Sequence, residues 1–224
     1  MIQGLDYNGV VECLFEPNEV QTDRVVASGE SVNLTVGEPF WTATLRVETP
    51  TRQSKSVWGA WAAARRGSRN PFLISRSWRL IPRGGPISDT GLTVASVNKG
   101  ASTVTFSSAG AWAAKIGDMI SYYTTAGGYY IGEVLAPATA SGGNITVQVW
   151  PPPATPHAST ARPRRNYAFG EFYLSGRLSR TETKEPDFIE FEARQLIRLA
   201  GGAVSPFTPP ASGANFAVTE SLVF

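Results

Sequence analysis

The chain has 224 residues, 42% of them hydrophobic and 17% charged, with a formal net charge of +2 at pH 7. That length and apolar content support a buried core without covalent staples and exclude general disorder. One Cys (Cys13) excludes an intramolecular disulfide, a single His argues against an ordinary His/Cys metal site, and the small net charge points to no polyanion partner.

The start, MIQGLDYNGV, lacks the basic and apolar regions of a signal peptide, and no apolar run approaches the roughly 20 residues of a spanning helix. A soluble protein without membrane insertion is the expectation. Twenty-two Gly and 16 Pro favour many turns and an all-β architecture.

In chain order, Gly9 to Phe15 reads as a strand ended by Pro17 and Asn18, and Arg24 to Ala27 and Ser31 to Val36 flank a Ser28-Gly29-Glu30 turn. Phe40 to Glu48 alternates, with Trp41, Ala43, Leu45 and Val47 on one face and Thr42, Thr44, Arg46 and Glu48 on the other. It reads as a half-buried antiparallel strand, and Trp41, Leu45 and Val47 are assigned to the core. Arg52 to Ile74 carries the one convincing helix signal. Ser54 and Ser56 serve as candidate N-caps, Val57, Ala60, Trp61 and Ala64 form an apolar stripe, and Trp58 sits on its shoulder. Arg65 and Arg66 suit a helix C-terminus and Gly67 suits the residue beyond it. Asn70 and Pro71 then break the chain before a strand from Phe72 to Arg79. Trp58 and Trp61 should anchor this helix to one face or end of a sheet sandwich.

Ile81 to Pro86 is dense in Pro and Gly and marks a boundary. Five short strands follow: Leu92 to Val97, Thr103 to Ser107, Met119 to Thr124, Tyr129 to Leu135 and Ile145 to Trp150. Gly127-Gly128 and Ser141 to Asn144 supply turns, and so many short strands in about sixty residues suit a small closed or nearly closed barrel. Pro151 to Pro163 reads as a return linker that cannot join a sheet. Tyr167 to Leu174 and Ile189 to Ala193 resume the longer strands. The predicted organisation is a β-sandwich with one helix from residues 1–81 and 164–200, a small β-barrel inserted at 82–163, and a C-terminal arm at 201–224. The arm's Phe216 and Phe224, with Arg65 and Arg66, are candidate contacts between subunits.

Catalytic chemistry is hard to find. Nucleophile-elbow, phosphate-loop and dinucleotide motifs are absent, and His157 lies among prolines as a solvated bystander. Glu190 and Glu192 share a strand face roughly 7 Å apart, but the interleaved Arg177, Arg180, Lys184 and Arg194 make that face a solvated, charged one. No catalytic residue, metal or cofactor is assigned. Arg65-Arg66-Arg69 and Arg162-Arg164-Arg165 sit at element ends and suit helix capping and subunit salt bridges better than a specific nucleic-acid surface. Tyr122, Tyr129, Tyr130 and Trp150 could stack sugars, which makes a carbohydrate-binding module the alternative function.

Several stretches together resemble a family. They are the Trp- and Ala-rich helix running into RRGSRNPFLI, Pro82-Arg83-Gly84, Ile116-Gly117-Asp118 before a strand, and Val149-Trp150-Pro151-Pro152. Over about residues 40–195 the chain is similar to the distal tail proteins of bacteriophages and prophages with long non-contractile tails. The resemblance implies a β-sandwich packed side by side into a hexameric or trimeric ring at the virion baseplate, joining tail tube protein to tail-tip hub proteins after synthesis in the host cytoplasm. It also implies an inserted domain that projects outward and sometimes meets host carbohydrate. Tube and terminator subunits share the same class. The long Pro-rich tail after Gly201 departs from the family's simplest form and leaves open whether the C-terminus completes the sandwich or reaches another protein.

Overall fold

A computed structural model describes residues 3–4, 10–19, 21–25, 31–35, 37–65, 70–76, 80–97, 99–158, 162–175, 179–181 and 188–197. The chain is all-β with a single helix among these residues. The first strands are β1 (Gln3–Gly4), β2 (Val10–Asn18), β3 (Gln21–Val25), β4 (Ser31–Thr35) and β5 (Phe40–Glu48), followed by α1 (Arg52–Ala64) and β6 (Phe72–Ser75). The middle of the chain carries β7 (Thr93–Ser96), β8 (Thr103–Ser107), β9 (Ala113–Ala114), β10 (Met119–Tyr123), β11 (Tyr129–Val134), β12 (Ala138–Thr139) and β13 (Ile145–Trp150). The last three are β14 (Phe169–Leu174), β15 (Ser179–Thr181) and β16 (Phe188–Gln195).

Seven strands form one sheet in the order β1-β6-β14-β16-β5-β2, with β15 continuing the line of β14 along β16. β3 and β4 form a separate hairpin. The alternation of β5 explains the packing directly. Trp41, Ala43, Leu45 and Val47 are all buried and their neighbours on the other face are half-exposed, and each fully buried Leu or Val favours folding by roughly 1.5–3 kcal/mol. β2 runs through Pro17 instead of ending there, because among the described residues it is an edge strand paired only with β5, and a proline on the outer edge breaks no ladder bond.

Helix α1 lies on the apolar face of this sheet. Its N-cap is Thr51, in extended conformation (φ −129°, ψ 157°), and not Ser54 or Ser56. Thr51 Oγ1 accepts from Ser54 N at 3.0 Å while Ser54 Oγ accepts from Thr51 N at 3.1 Å, which makes a reciprocal capping box. Replacing Thr51 by Ala should therefore cost about 1 kcal/mol, seen as a lower urea midpoint at unchanged slope. The buried stripe is also rotated from expectation. Trp58 and Ala62 are buried and Trp61 half-buried, while Ala60 and Ala64 are exposed. The aromatic partners on the sheet decide the rotation: Trp61 meets Phe72 edge-on at 5.0 Å, and Trp58 and Trp61 lie 5.9 and 5.7 Å from Phe191. Gly67 and Arg66 lie outside the described residues, as does the arm at 201–224.

β7 to β13 fall between β6 and β14, which are hydrogen-bonded neighbours in the large sheet. β10-β11-β13-β8-β7 curl into a half-barrel, and the short β9–β12 pair stands beside it. Of the closed or nearly closed forms expected, full closure is not reached, since β7 and β10 do not pair. Trp112, Ala109, Ala114 and Leu92 pack over Val104, Phe106, Ile120, Val147 and Val149 to seal that second core. β9 and β12 are too short to leave a periodic trace in the sequence. The return segment does pair with the sheet after all, at bridges Thr124–His157 and Ser121–Arg164 along β10. Its prolines offer only carbonyls there, as when Pro156 O accepts from Thr125 N, while Ala158 and Arg164 donate. His157 is accordingly half-buried rather than solvated.

The two bodies form layers. Met119 and Ile131 of the insert join Leu45, Phe72, Phe172 and Phe191 in the core of the large sheet. The second layer of the sandwich is thus α1 together with the flank of the half-barrel. Among the described residues no helix is long and apolar enough to cross a membrane.

Candidate functional site

The feature that the fold constructs most carefully is the joint between the large sheet and the insert. Its first part is a close backbone approach. A Cβ at Gly170, within β14, would collide with Ile131 of β11, so only glycine lets the half-barrel settle on the sheet. Phe169 N donates to Ser121 Oγ at 3.2 Å beside it.

The second part is a pair of ionic clamps. Arg76, just past β6, donates to Glu133 Oε2 of β11 at 2.9 Å with both side chains largely shielded. One turn away, the buried Asp118 carboxylate accepts from Arg83 N at 2.8 Å through one oxygen and from Lys115 N at 2.9 Å through the other. Gly117 holds φ +85° there, and the Arg83 guanidinium lies against its Cα face. On the far side, Arg165 is only 2% exposed. Its Nε donates to Asp89 Oδ1 at 2.9 Å, its other nitrogens to Ala109 O and Ser88 O, and its guanidinium lies 4.9 Å over the Trp112 ring. Asn166 completes this clamp by bonding both main-chain groups of Ile87. Entry and exit of the insert are therefore stapled to its rim by shielded charged and polar groups.

The residues that composition marked for sugar contact are placed otherwise. Tyr122, Tyr129 and Tyr130 are at most 6% exposed. Tyr122 and Tyr130 pack ring to ring at 4.8 Å in the core of the half-barrel, and Tyr129 meets Phe169 at 4.5 Å. Trp150 is half-buried with its ring edge-on to Trp41 at 4.6 Å. None of the three tyrosine rings offers a free face to a sugar, because burial of large aromatics is worth more to this small sheet than their exposure. The shallow cleft beside them, open to solvent, is lined by Pro39, Tyr129, Tyr130, Pro151, Thr155 and Gln195. Its polar atoms are engaged internally: Tyr130 Oη donates to Pro151 O at 2.6 Å and Gln195 Oε1 accepts from Trp41 N at 3.0 Å.

Burial pushes the Tyr122, Tyr129 and Tyr130 hydroxyls well above the ordinary tyrosine value of 10.0, and Tyr122 Oη has no hydrogen-bond partner among the described residues. The folded chain then keeps protons that the unfolded chain loses above pH 10. Stability should fall as pH rises beyond that value, by up to about 1.4 kcal/mol per pH unit for each tyrosine. Phenolate absorbance should show three of the seven tyrosines ionising only together with unfolding.

Of the candidate subunit contacts, Arg65 is the half-buried C-cap of α1, its N–H bonded to Trp61 O and Ala62 O, and its guanidinium pKa is lowered by burial. Arg66, Phe216 and Phe224 lie outside the described residues. Trp41, Leu45, Val47, Trp58 and Trp61 all pack in or against the core of the large sheet. Glu190 and Glu192 stand outward on the large sheet, Glu190 3.9 Å from Arg46. Among the described residues no cluster of three or more His, Cys, Asp or Glu has the arrangement of a metal site.

No family model matches this sequence, and no curated protein matches it either. The residues that matter most in the joint, Asp89, Asp118, Arg165, Asn166 and Gly170, have no periodic signature. Only Gly170, an isolated glycine within a strand pattern, carried a local sign of close approach.

Proposed function

We propose that the protein is a structural subunit of a bacteriophage or prophage virion, a distal tail protein forming a ring that joins the tail tube to the tail tip of a long non-contractile tail. The observation that carries this reading is the joint. An inserted half-barrel is fixed rigidly between neighbouring strands of a sandwich by buried clamps, as a scaffold that transmits load between partners requires. The stretches behind the family resemblance coincide with joint elements: Pro82-Arg83-Gly84 enters the insert, Gly117-Asp118 pins that entry, and Trp150-Pro151 leaves beside Trp41. In this reading the ring is a homo-hexamer or homo-trimer, its partners are tail tube and tail-tip hub proteins, and it works without turnover. The large sheet and α1 form the ring wall and the insert projects from it.

Native mass spectrometry of the purified chain across a concentration series tests the reading. A closed hexamer or trimer that survives dilution, with a central channel in electron micrographs, supports it. Open filaments would instead indicate a tube subunit, and a strict monomer at every concentration would remove the ring.

A further inference from the structure

Six large hydrophobic residues are exposed among the described ones, and five of them fall into two patches. The first is on the outer face of edge strand β2, where Val11 and Leu14 stand 53% and 42% exposed beside exposed Glu12 and Glu16. Val11 is the extra residue of a β-bulge, which turns it out of the ladder. The second is at the foot of the insert, where Ile81, Ile116 and Leu135 are 46%, 54% and 44% exposed. The loops bearing them are tied together by the Asp118 clamp and by the bond from Gly117 N to Val134 O. Arg83 and Lys115 are exposed on the same loops.

The two patches carry opposite charge. Nearby Arg46 and Glu190 lie within ion-pair distance of each other, as do Arg76 and Glu133, and Asp118 is buried under two N–H donors. This leaves Glu12, cross-strand from Arg46, and Glu16 as the acidic excess on one patch, and Arg83 and Lys115 as the basic excess over the buried Asp118 on the other, none of the four within ion-pair distance of a partner among the described residues. The patches are also tied to opposite sides of the large sheet. Leu14, Glu12 and Glu16 face away from the core that Cys13 and Phe15 of the same strand enter, while the insert packs Met119 and Ile131 into that core from the other face. A single molecule is not arranged to close one patch on the other.

We infer that these patches are the two halves of one head-to-tail interface between copies of this chain, the β2 face of one protomer seating on the insert foot of the next. Two-fold pairing of either patch with itself would set Glu against Glu or Arg against Lys, whereas head-to-tail pairing satisfies both charge and apolar complementarity. The contact is through side-chain faces. The bulge at Val11, Pro17 and the flanking glutamates hinder addition of a strand to the β2 edge. This inference rests on the ring reading and specifies its surface, since a heterologous contact that closes generates a ring.

The test uses the full chain with two charge-reversed variants, Glu12→Lys/Glu16→Lys and Arg83→Glu/Lys115→Glu, in sedimentation velocity at low and high salt. The wild type should assemble and loosen as salt rises. Each variant alone should be monomeric, its association weakened roughly 100-fold or more. An equimolar mixture of the two should assemble again with the variants alternating, because the intact foot of the first meets the intact β2 face of the second and the reversed β2 face of the first meets the reversed foot of the second. A chain carrying all four reversals should assemble again. Leu14→Ser and Ile116→Ser probe the apolar half at unchanged charge and should weaken association likewise. Variants that assemble as the wild type does would overturn the interface and leave a ring built on another surface. A mixture that stays monomeric would overturn the pairing. A wild type monomeric under all conditions would overturn both the interface and the ring.

Discussion

Gly170→Val should lower the free energy of unfolding by about 3 kcal/mol, the upper range for overpacking a filled core, even though Val is the better strand former. The added methyls would enter the space held by Ile131 and press on the Phe172 ring. Both residues belong to the core shared by sheet and insert, so neither can withdraw without opening it. The control is a double-mutant cycle with Ile131→Ala. Ile131→Ala alone should cost about 2–4 kcal/mol through the cavity it leaves. Together the two changes should cost clearly less than their sum, because the new side chain fills the new void. Urea unfolding followed by tryptophan fluorescence reads all four corners. Additive costs would mean that the two residues do not share the space.

Arg165→Met should be the most damaging change on the far side of the insert, at about 3–5 kcal/mol, the usual cost of breaking a buried charge pair from one side. It would leave Asp89 without its cation and the carbonyls of Ser88 and Ala109 without donors, while Trp112 loses the guanidinium over its ring. Arg165→Lys should rescue little. A single ammonium cannot reach three acceptors set around a planar fork. Adding Asp89→Asn to Arg165→Met should cost little more, since the uncompensated charge is then gone. Hydrogen exchange should locate the loss in residues 87–114 before the large sheet. Equal costs for Lys and Met, with strong coupling to Asp89, would identify fork geometry as the stabilising feature.

Much of the architecture was legible because its signals are local. The alternation of Phe40–Glu48 is a property of nine consecutive residues, and β5 has those bounds and those buried faces. β8 and β13 were equally legible, since Val, Ile and Thr alternate between Gly- and Asn-rich turns. The helix was recognisable from its Trp and Ala spacing, but its rotation was not. Trp58 and Trp61 both lie near one stripe, and only Phe72 and Phe191, more than ten residues beyond in the chain or far later, choose which indole sinks deeper. The N-cap went to Thr51 because the cap is set by where the chain leaves extended conformation, which three nearby hydroxyl residues leave ambiguous.

The tyrosines show the limit most plainly. A strand pattern places Tyr122 and Tyr123, like Tyr129 and Tyr130, on opposite faces of their strands, yet it cannot say which face a curled sheet will turn inward, and curvature depends on how five strands pair at once. The clamps are beyond local reading altogether: Asp89 meets Arg165 across 76 residues and Arg76 meets Glu133 across 57. The sequence by itself determined the strand-rich class, the helix and the alternating faces of the sheet, because periodicity acts within a few residues. Only the tertiary structure decided that the barrel stays half open, that its aromatics are core, and that its loops are pinned to the large sheet, because those outcomes depend on contacts made after distant segments have come together.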